Sequence, residues 1–322
     1  MKTWSLVCLA SLTVAACARA SATEESTSAI MSARPTVSSA PNHVSRMREM
    51  MELANAADGP EDAASIAARY DALGYRLVTS VRLPDTANVD LARKGSSLVL
   101  AFRGTGTSYG GKFTLMDWIR DFDVTLVSPE GFNASTEFVA AGVGARYHKG
   151  FIERFDAVAG LIAAAVESEY PNVANTEIYA TGHSSGGAYA QLCAWYLFRQ
   201  TRRPAGTYAF ATPLLGNQQQ ADAFDRELGD TLVRAYLNDD PAPASPSPWL
   251  FAGYARSTHE INLDFDPIIA LTGEITSSGE GSALPMDAGA HFPERYLASL
   301  RNSELVWKAK WSLARHIAMN QD

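Results

Sequence analysis

The sequence predicts an α/β fold with a mostly parallel central sheet. Three observations point there. Short apolar runs alternate with longer amphipathic stretches along most of the chain, which is the pattern of strands joined by helical crossovers. The apolar runs are continuous rather than alternating, as expected of strands buried on both faces. One of these runs leads through Gly182-His183-Ser184-Ser185-Gly186 directly into an Ala-rich helical stretch. No internal repeat interrupts this order.

The elements follow in sequence. Arg46 to Ala57 is rich in Met, Leu, Ala and Glu and reads as a helix, stopped by Asp58-Gly59-Pro60. Glu61 to Leu73 reads as a second helix, ended by Gly74. Tyr75 to Leu83 is β-like and Ser97 to Phe102 is a short buried strand. A Gly, Ser and Thr-rich loop follows, from Gly104 to Gly111. Phe151 to Glu169 is a long amphipathic helix that ends before Pro171. Glu177 to Thr181 is a buried strand and Gly186 to Arg199 a helix. Thr207 to Ala211, Thr231 to Leu237 and Arg256 to Leu263 read as further strands, and Leu297 to Met319 as a helical tail.

The start of the chain has a different character. Lys2 is followed by a mostly apolar stretch, Trp4 to Ala16. A bilayer span needs about 20 apolar residues, so this stretch fits the apolar region of an export signal rather than an anchor helix. Val14-Ala15-Ala16-Cys17 resembles a bacterial lipobox, which makes Cys17 a lipid-attachment candidate. The rival is cleavage after Ala18-Arg19-Ala20. The expected organisation is a signal over 1–16, a flexible Ser/Thr/Ala tether over 17–43, and one folded domain over 44–322. Cys193 is then left without a disulfide partner and reads as a small buried hydrophobe.

Composition excludes some functions. The chain has 322 residues, 47% of them hydrophobic and 19% charged, with a formal net charge of -8. It carries no dense Lys/Arg cluster, so a nucleic-acid partner is not expected. No His/Cys/Asp group has metal-ligand spacing, so neither a metal nor another cofactor is expected.

The Gly182-x-Ser184-x-Gly186 motif between strand and helix is the context of a nucleophile elbow. The turn is strained, and its flanking residues must be almost free of side chain for the backbones to approach. It places Ser184 at a helix N-terminus, where N–H groups favour developing negative charge. His183, next to the serine, points away from it in such a turn and is rejected as its base.

Further segments carry a resemblance. Phe102-Arg103-Gly104-Thr105, Asp117-Trp118-Ile119-Arg120-Asp121 and Tyr147-His148-Lys149-Gly150-Phe151 precede the elbow. Asn238-Asp239-Asp240-Pro241-Ala242-Pro243 and His291, with Tyr296 and Leu297 after it, follow. In this order they resemble the class 3 lipases, which include fungal triacylglycerol lipases and plant phospholipases A1. Ser185 stands where that family usually has Leu, the loop between Thr105 and Asp117 is long, and the segment between Asp240 and His291 has no clear family pattern.

The resemblance implies an α/β-hydrolase fold, with helices on both faces of the sheet, and a Ser-Asp-His order of catalytic residues. Ser184 would be the nucleophile, His291 its general base and Asp240 the orienter of the imidazole. Asp240 fits the family's Asp-x-x-Pro and Asp239 does not; Asp239 reads as a turn carboxylate. His259, on an expected strand, is the fallback base, and His148 falls at a structural position of the family. The Ser185 N–H and Thr105 would form the oxyanion hole, while Arg103 would be structural. The loop over 106–117 falls where fungal members carry a lid. The implied activity is hydrolysis of lipid esters, acylglycerols first, with phospholipids or feruloyl esters as alternatives, at a membrane or lipid surface. A surface lipoprotein that only binds lipid or a partner is the reading of another class.

Overall fold

The computed structural model describes residues 40–59, 62–105, 123–169, 175–200, 202–246, 251–264 and 288–305. Cys17 and the loop over 106–117 lie outside the described residues, as does the tail beyond 305.

Helix α1 (Ala40–Ala57) begins four residues before the expected domain start and so takes in the end of the expected tether. Its buried face is Met47, Met50, Met51, Ala54 and Ala57, spaced at three and four residues as a helical stripe requires. Helix α2 (Ala63–Ala72) starts where Asp62 caps the Ser65 N–H at 2.8 Å. Strands β1 (Arg76–Val81), β2 (Val89–Lys94) and β3 (Ser97–Phe102) form an antiparallel meander. The short pair β4 (Leu126–Val127) and β5 (Tyr147–His148) brackets the one-turn helix α3 (Ser135–Val139). Helix α4 (Lys149–Glu169), strand β6 (Glu177–His183), helix α5 (Ser185–Arg199), strand β7 (Gly206–Phe210), helix α6 (Gln218–Leu228), strand β8 (Leu232–Tyr236) and strand β9 (Glu260–Asn262) complete the alternating part. The last helix among the described residues, α7, runs over 293–305.

The sheet order is β1-β2-β3-β6-β7-β8-β9. From β3 onwards every pairing is parallel. Burial on both faces explains the continuous apolar runs. In β3, Leu98, Leu100 and Phe102 point into one core, shared with Phe155 of α4 and Trp195 of α5. Val99 and Ala101 point into the other, shared with Met50 of α1 and Leu300 of α7. A period of two thus divides one apolar strand between two helical layers. Cys193 is free and fully buried in the α4–α5 layer, and burial pushes its thiol pKa up.

Three differences from expectation have physical causes. Strand β2 escapes the apolar-run criterion because it contains Asp90 and Arg93. Both are buried, and both are paired: Asp90 with Tyr70, Ser80 and Arg82, and Arg93 with Glu169. Helix α6, also unexpected, starts where the Asn217 side chain accepts the Gln220 N–H at 3.2 Å. The strand expected over Arg256 to Leu263 shrinks to Glu260–Asn262. Ser257 and Thr258 instead bind the Asp225 carboxylate of α6, which takes them off the sheet.

Candidate active site

The site forms at the C-terminal ends of the parallel strands, where open α/β sheets place their clefts. Strand β6 ends at His183 and helix α5 begins at Ser185, so Ser184 alone makes the turn. Its φ is 58° and ψ −129°, a conformation costly for a residue with a Cβ and characteristic of functional sites. Two glycines allow it. A Cβ on Gly182 would stand 2.2 Å from the Gly186 carbonyl carbon, and one on Gly186 would stand 2.3 Å from the Phe102 carbonyl oxygen. The Ser184 N–H donates to the Phe210 carbonyl at 2.9 Å, which ties the elbow to β7.

His291 arrives from the other end of the chain, on a short 3-10 turn over Ala288–His291. Its Nε2 lies 2.9 Å from Ser184 Oγ. Its Nδ1 lies 3.0 and 3.1 Å from the two oxygens of Asp240. A carboxylate can only accept, so Nδ1 carries the proton of the neutral ring and Nε2 offers its lone pair to the serine hydroxyl. Asp240, just after β8, has a fully buried side chain. The Ala242 N–H donates to its Oδ1 at 2.8 Å and the Tyr296 hydroxyl to its Oδ2 at 2.6 Å. Tyr296 also accepts the Leu237 N–H at 3.2 Å. Burial and the neighbouring Asp240 carboxylate hold its phenol well above the ordinary pKa, so it remains a donor.

The structure therefore brings Ser184, His291 and Asp240 into one hydrogen-bonded line and leaves the rivals outside it. Asp239 turns away to Arg295 at 3.4 Å. His259 pairs with Asp225 at 3.4 Å. His148 is buried against Phe151 and Tyr254, and burial lowers its pKa to about 4. His183 is buried with its ring centroid 4.9 Å from that of His291. Burial, helped by the nearby His291, holds it neutral. His43 packs against Tyr208, and His316 lies outside the described residues.

Thr105 and Ser185 also meet. The Thr105 hydroxyl is 2.9 Å from Ser185 Oγ. Ser185 opens α5, and the first N–H groups of a helix have no partner within it, so its amide is available to a nearby anion. Among the described residues no group of three His, Cys, Asp or Glu side chains could hold a metal. The sequence assigns Tyr296 no role of its own; its place five residues after His291, in the first turn of α7, is the available signal.

A model of the class 3 lipase family matches residues 99–249. Over that segment, just under half of its length, the chain is similar to the class 3 lipases. The matched segment holds the end of β3, the elbow and Asp240; His291 and Tyr296 lie beyond it. The chain is 33% identical over 161 residues to a secreted mono- and diacylglycerol lipase of Fusarium solani, covering 50% of this chain and 44% of that protein. It is 25% identical over 221 residues to one of Penicillium cyclopium, covering 65% of this chain and 66% of that protein. The chain thus spans about half to two thirds of the curated relatives it matches.

Solved structures show the fold. A triacylglycerol lipase described as having a serine protease triad at its catalytic centre superposes with a TM-score of 0.59 at 19% identity, covering 77% of this chain and 92% of that one. A mutant form of the Penicillium cyclopium enzyme gives 0.59 at 20% identity, with 78% and 94% covered. The fold is that of the α/β-hydrolases, with the mostly parallel sheet and two helical layers described above.

Proposed function

We propose that this chain is a serine carboxylic ester hydrolase acting on lipid esters, acylglycerols foremost. The observation that carries this reading is the continuous line Ser184 Oγ, His291 Nε2, His291 Nδ1, Asp240. Ser184 Oγ attacks the ester carbonyl as its proton passes to Nε2. Asp240 stabilises the imidazolium that results. The tetrahedral oxyanion is met by the Ser185 N–H and by Thr105, each such donor contributing about 10²–10³ in rate. The imidazolium then protonates the departing alcohol, leaving an acyl-enzyme. Water repeats the sequence on that ester and releases the fatty acid.

The lipid substrate is supported by the names of the Fusarium and Penicillium relatives. It is also supported by Phe292, an exposed apolar side chain directly after His291. The same relatives are called secreted, which agrees with export through a leader over 1–16; lipid attachment at Cys17 rests on the lipobox-like sequence. Labelled palmitate should enter through Cys17 and not in Cys17→Ser.

The purified protein should cleave p-nitrophenyl and glycerol esters and be labelled at Ser184 by a fluorophosphonate. Ser184→Ala should fold and lose activity by about 10⁴–10⁶-fold. A fully active Ser184→Ala would refute the mechanism, and an unlabelled, inactive wild type would favour a lipid-binding role instead. Fatty acid released faster from phosphatidylcholine than from acylglycerols would move the substrate to phospholipids.

A further inference from the structure

Asp58 stands just past the C-terminus of α1, 46 residues before the strand end it touches. Its Oδ1 accepts the Gly104 N–H at 2.6 Å. Gly104 is wedged between this carboxylate and the nucleophile elbow. A Cβ there would stand 2.7 Å from the His183 carbonyl oxygen, 3.3 Å from Asp58 Oδ1 and 3.4 Å from Ser184 Cβ. The next residue is Thr105, whose hydroxyl meets Ser185.

The anchor behind Asp58 is itself held by hydrogen bonds and an ion pair. The preceding carbonyl, of Ala57, accepts two N–H groups of the Arg82 guanidinium at 3.3 Å. Arg82 pairs at 2.5 Å with Asp90, which is fully buried on β2. Asp90 is held in turn by the hydroxyls of Tyr70 and Ser80, at 3.0 and 2.5 Å.

Helix stability does not account for this aspartate. A carboxylate at a helix C-terminus opposes the helix dipole. Part of its surface still meets solvent, but burial among its neighbours dominates and pushes its pKa up to about 7. The Gly104 N–H and the charges of Arg103, Arg69 and Arg82 pull the other way. A carboxyl kept at such a place despite that cost is characteristic of functional sites.

We propose that Asp58 is a positioning residue of the ester hydrolysis: by accepting the Gly104 N–H it fixes the strand end that presents Thr105 to the developing oxyanion. The inference rests on the hydrolase reading above. Small displacements of such a donor are costly in rate because the hole acts on the transition state and hardly on the bound ester.

The test compares wild type with Asp58→Ala, Asp58→Asn and Asp58→Glu in the full chain, on a soluble p-nitrophenyl ester. A boronic acid that forms a tetrahedral adduct at Ser184 serves as inhibitor. All are assayed well below the lowest melting temperature. Asp58→Ala should lower kcat about 10- to 100-fold with KM within about threefold, and weaken the boronate in parallel. Asp58→Asn keeps an acceptor oxygen and should recover to within about fivefold of wild type. Asp58→Glu keeps the charge but shifts the acceptor, and should lose kcat at least about fivefold; it carries the test where Asp58→Ala does not fold. Wild-type kcat in Asp58→Ala or in Asp58→Glu, equal losses in Asp58→Ala and Asp58→Asn, or a loss confined to KM would overturn the proposal alone. A wild-type protein that cleaves no ester and is not labelled at Ser184 would overturn the hydrolase reading and this inference with it.

Discussion

Tyr296 offers the sharpest test of how the site is held. Tyr296→Phe removes one oxygen and keeps the ring that packs 5.6 Å from His183. Two hydrogen bonds go with it: the 2.6 Å bond to the Asp240 carboxylate and the 3.2 Å bond from the Leu237 N–H. A bond to a charged group is worth about 1.5–3 kcal/mol, and an unpaired buried N–H costs about 1–3 kcal/mol. Overlap between the two gives an expected destabilisation of about 2–5 kcal/mol. In a domain of this size that corresponds to a fall in melting temperature of about 4–15 °C. The Ala242 N–H and His291 still hold Asp240, so kcat on a soluble ester should drop only about 3- to 30-fold, with KM unchanged. Differential scanning fluorimetry and steady-state kinetics read both. A Tyr296→Phe protein that melts within 1 °C of wild type and keeps its kcat would show that the hydroxyl neither orients Asp240 nor supports the fold.

Two further outcomes follow from local geometry. Gly186→Ala puts a Cβ 2.3 Å from the Phe102 carbonyl oxygen and 3.0 Å from the Arg103 carbonyl carbon. Both are backbone atoms that cannot rotate away, so overpacking should cost about 1–3 kcal/mol or more, and hydrolysis should fall at least about tenfold as β3 is pushed from the elbow; thermal melts and ester assays check it. The His259–Asp225 pair ties the start of β9 to α6. The hydrogen bond to Asp225 raises the His259 pKa above 6.5. A raised histidine stabilises fully below its unfolded value and loses that contribution as pH rises through the folded one. The melting-temperature gap between wild type and His259→Gln should therefore be wide near pH 6 and close towards pH 9; a gap that is constant over this range would refute the pairing.

Much of the architecture was legible because burial on two faces leaves a mark in composition. The apolar run of β3, the run before the elbow and the amphipathic stretch of α4 each fell within a few residues of their observed limits. Strand β2 was not legible, because Asp90 and Arg93 break its apolar pattern and only their partners from β1, α2 and α4 make them compatible with burial. The start of α1 was read late because Ala40 to His43 resembles the polar stretch before it, while the helix is extended by what its later residues pack on.

The candidate site divides along the same line. Ser184 with its two glycines could be read from the sequence alone, because the strain of the elbow and the close approach of Gly182 and Gly186 are demands on neighbouring residues. The resemblance selected Asp240 and His291 from their rivals. What only the tertiary structure decided is direction and distance: that Asp239 turns to Arg295 while Asp240 faces His291, that Tyr296 donates to that carboxylate, and that Asp58 reaches the Gly104 amide. A hydrogen bond depends on the meeting of two atoms to within a few tenths of an ångström. For residues far apart in the chain, packing of the whole sheet and its helices sets that meeting, and no local spacing encodes it.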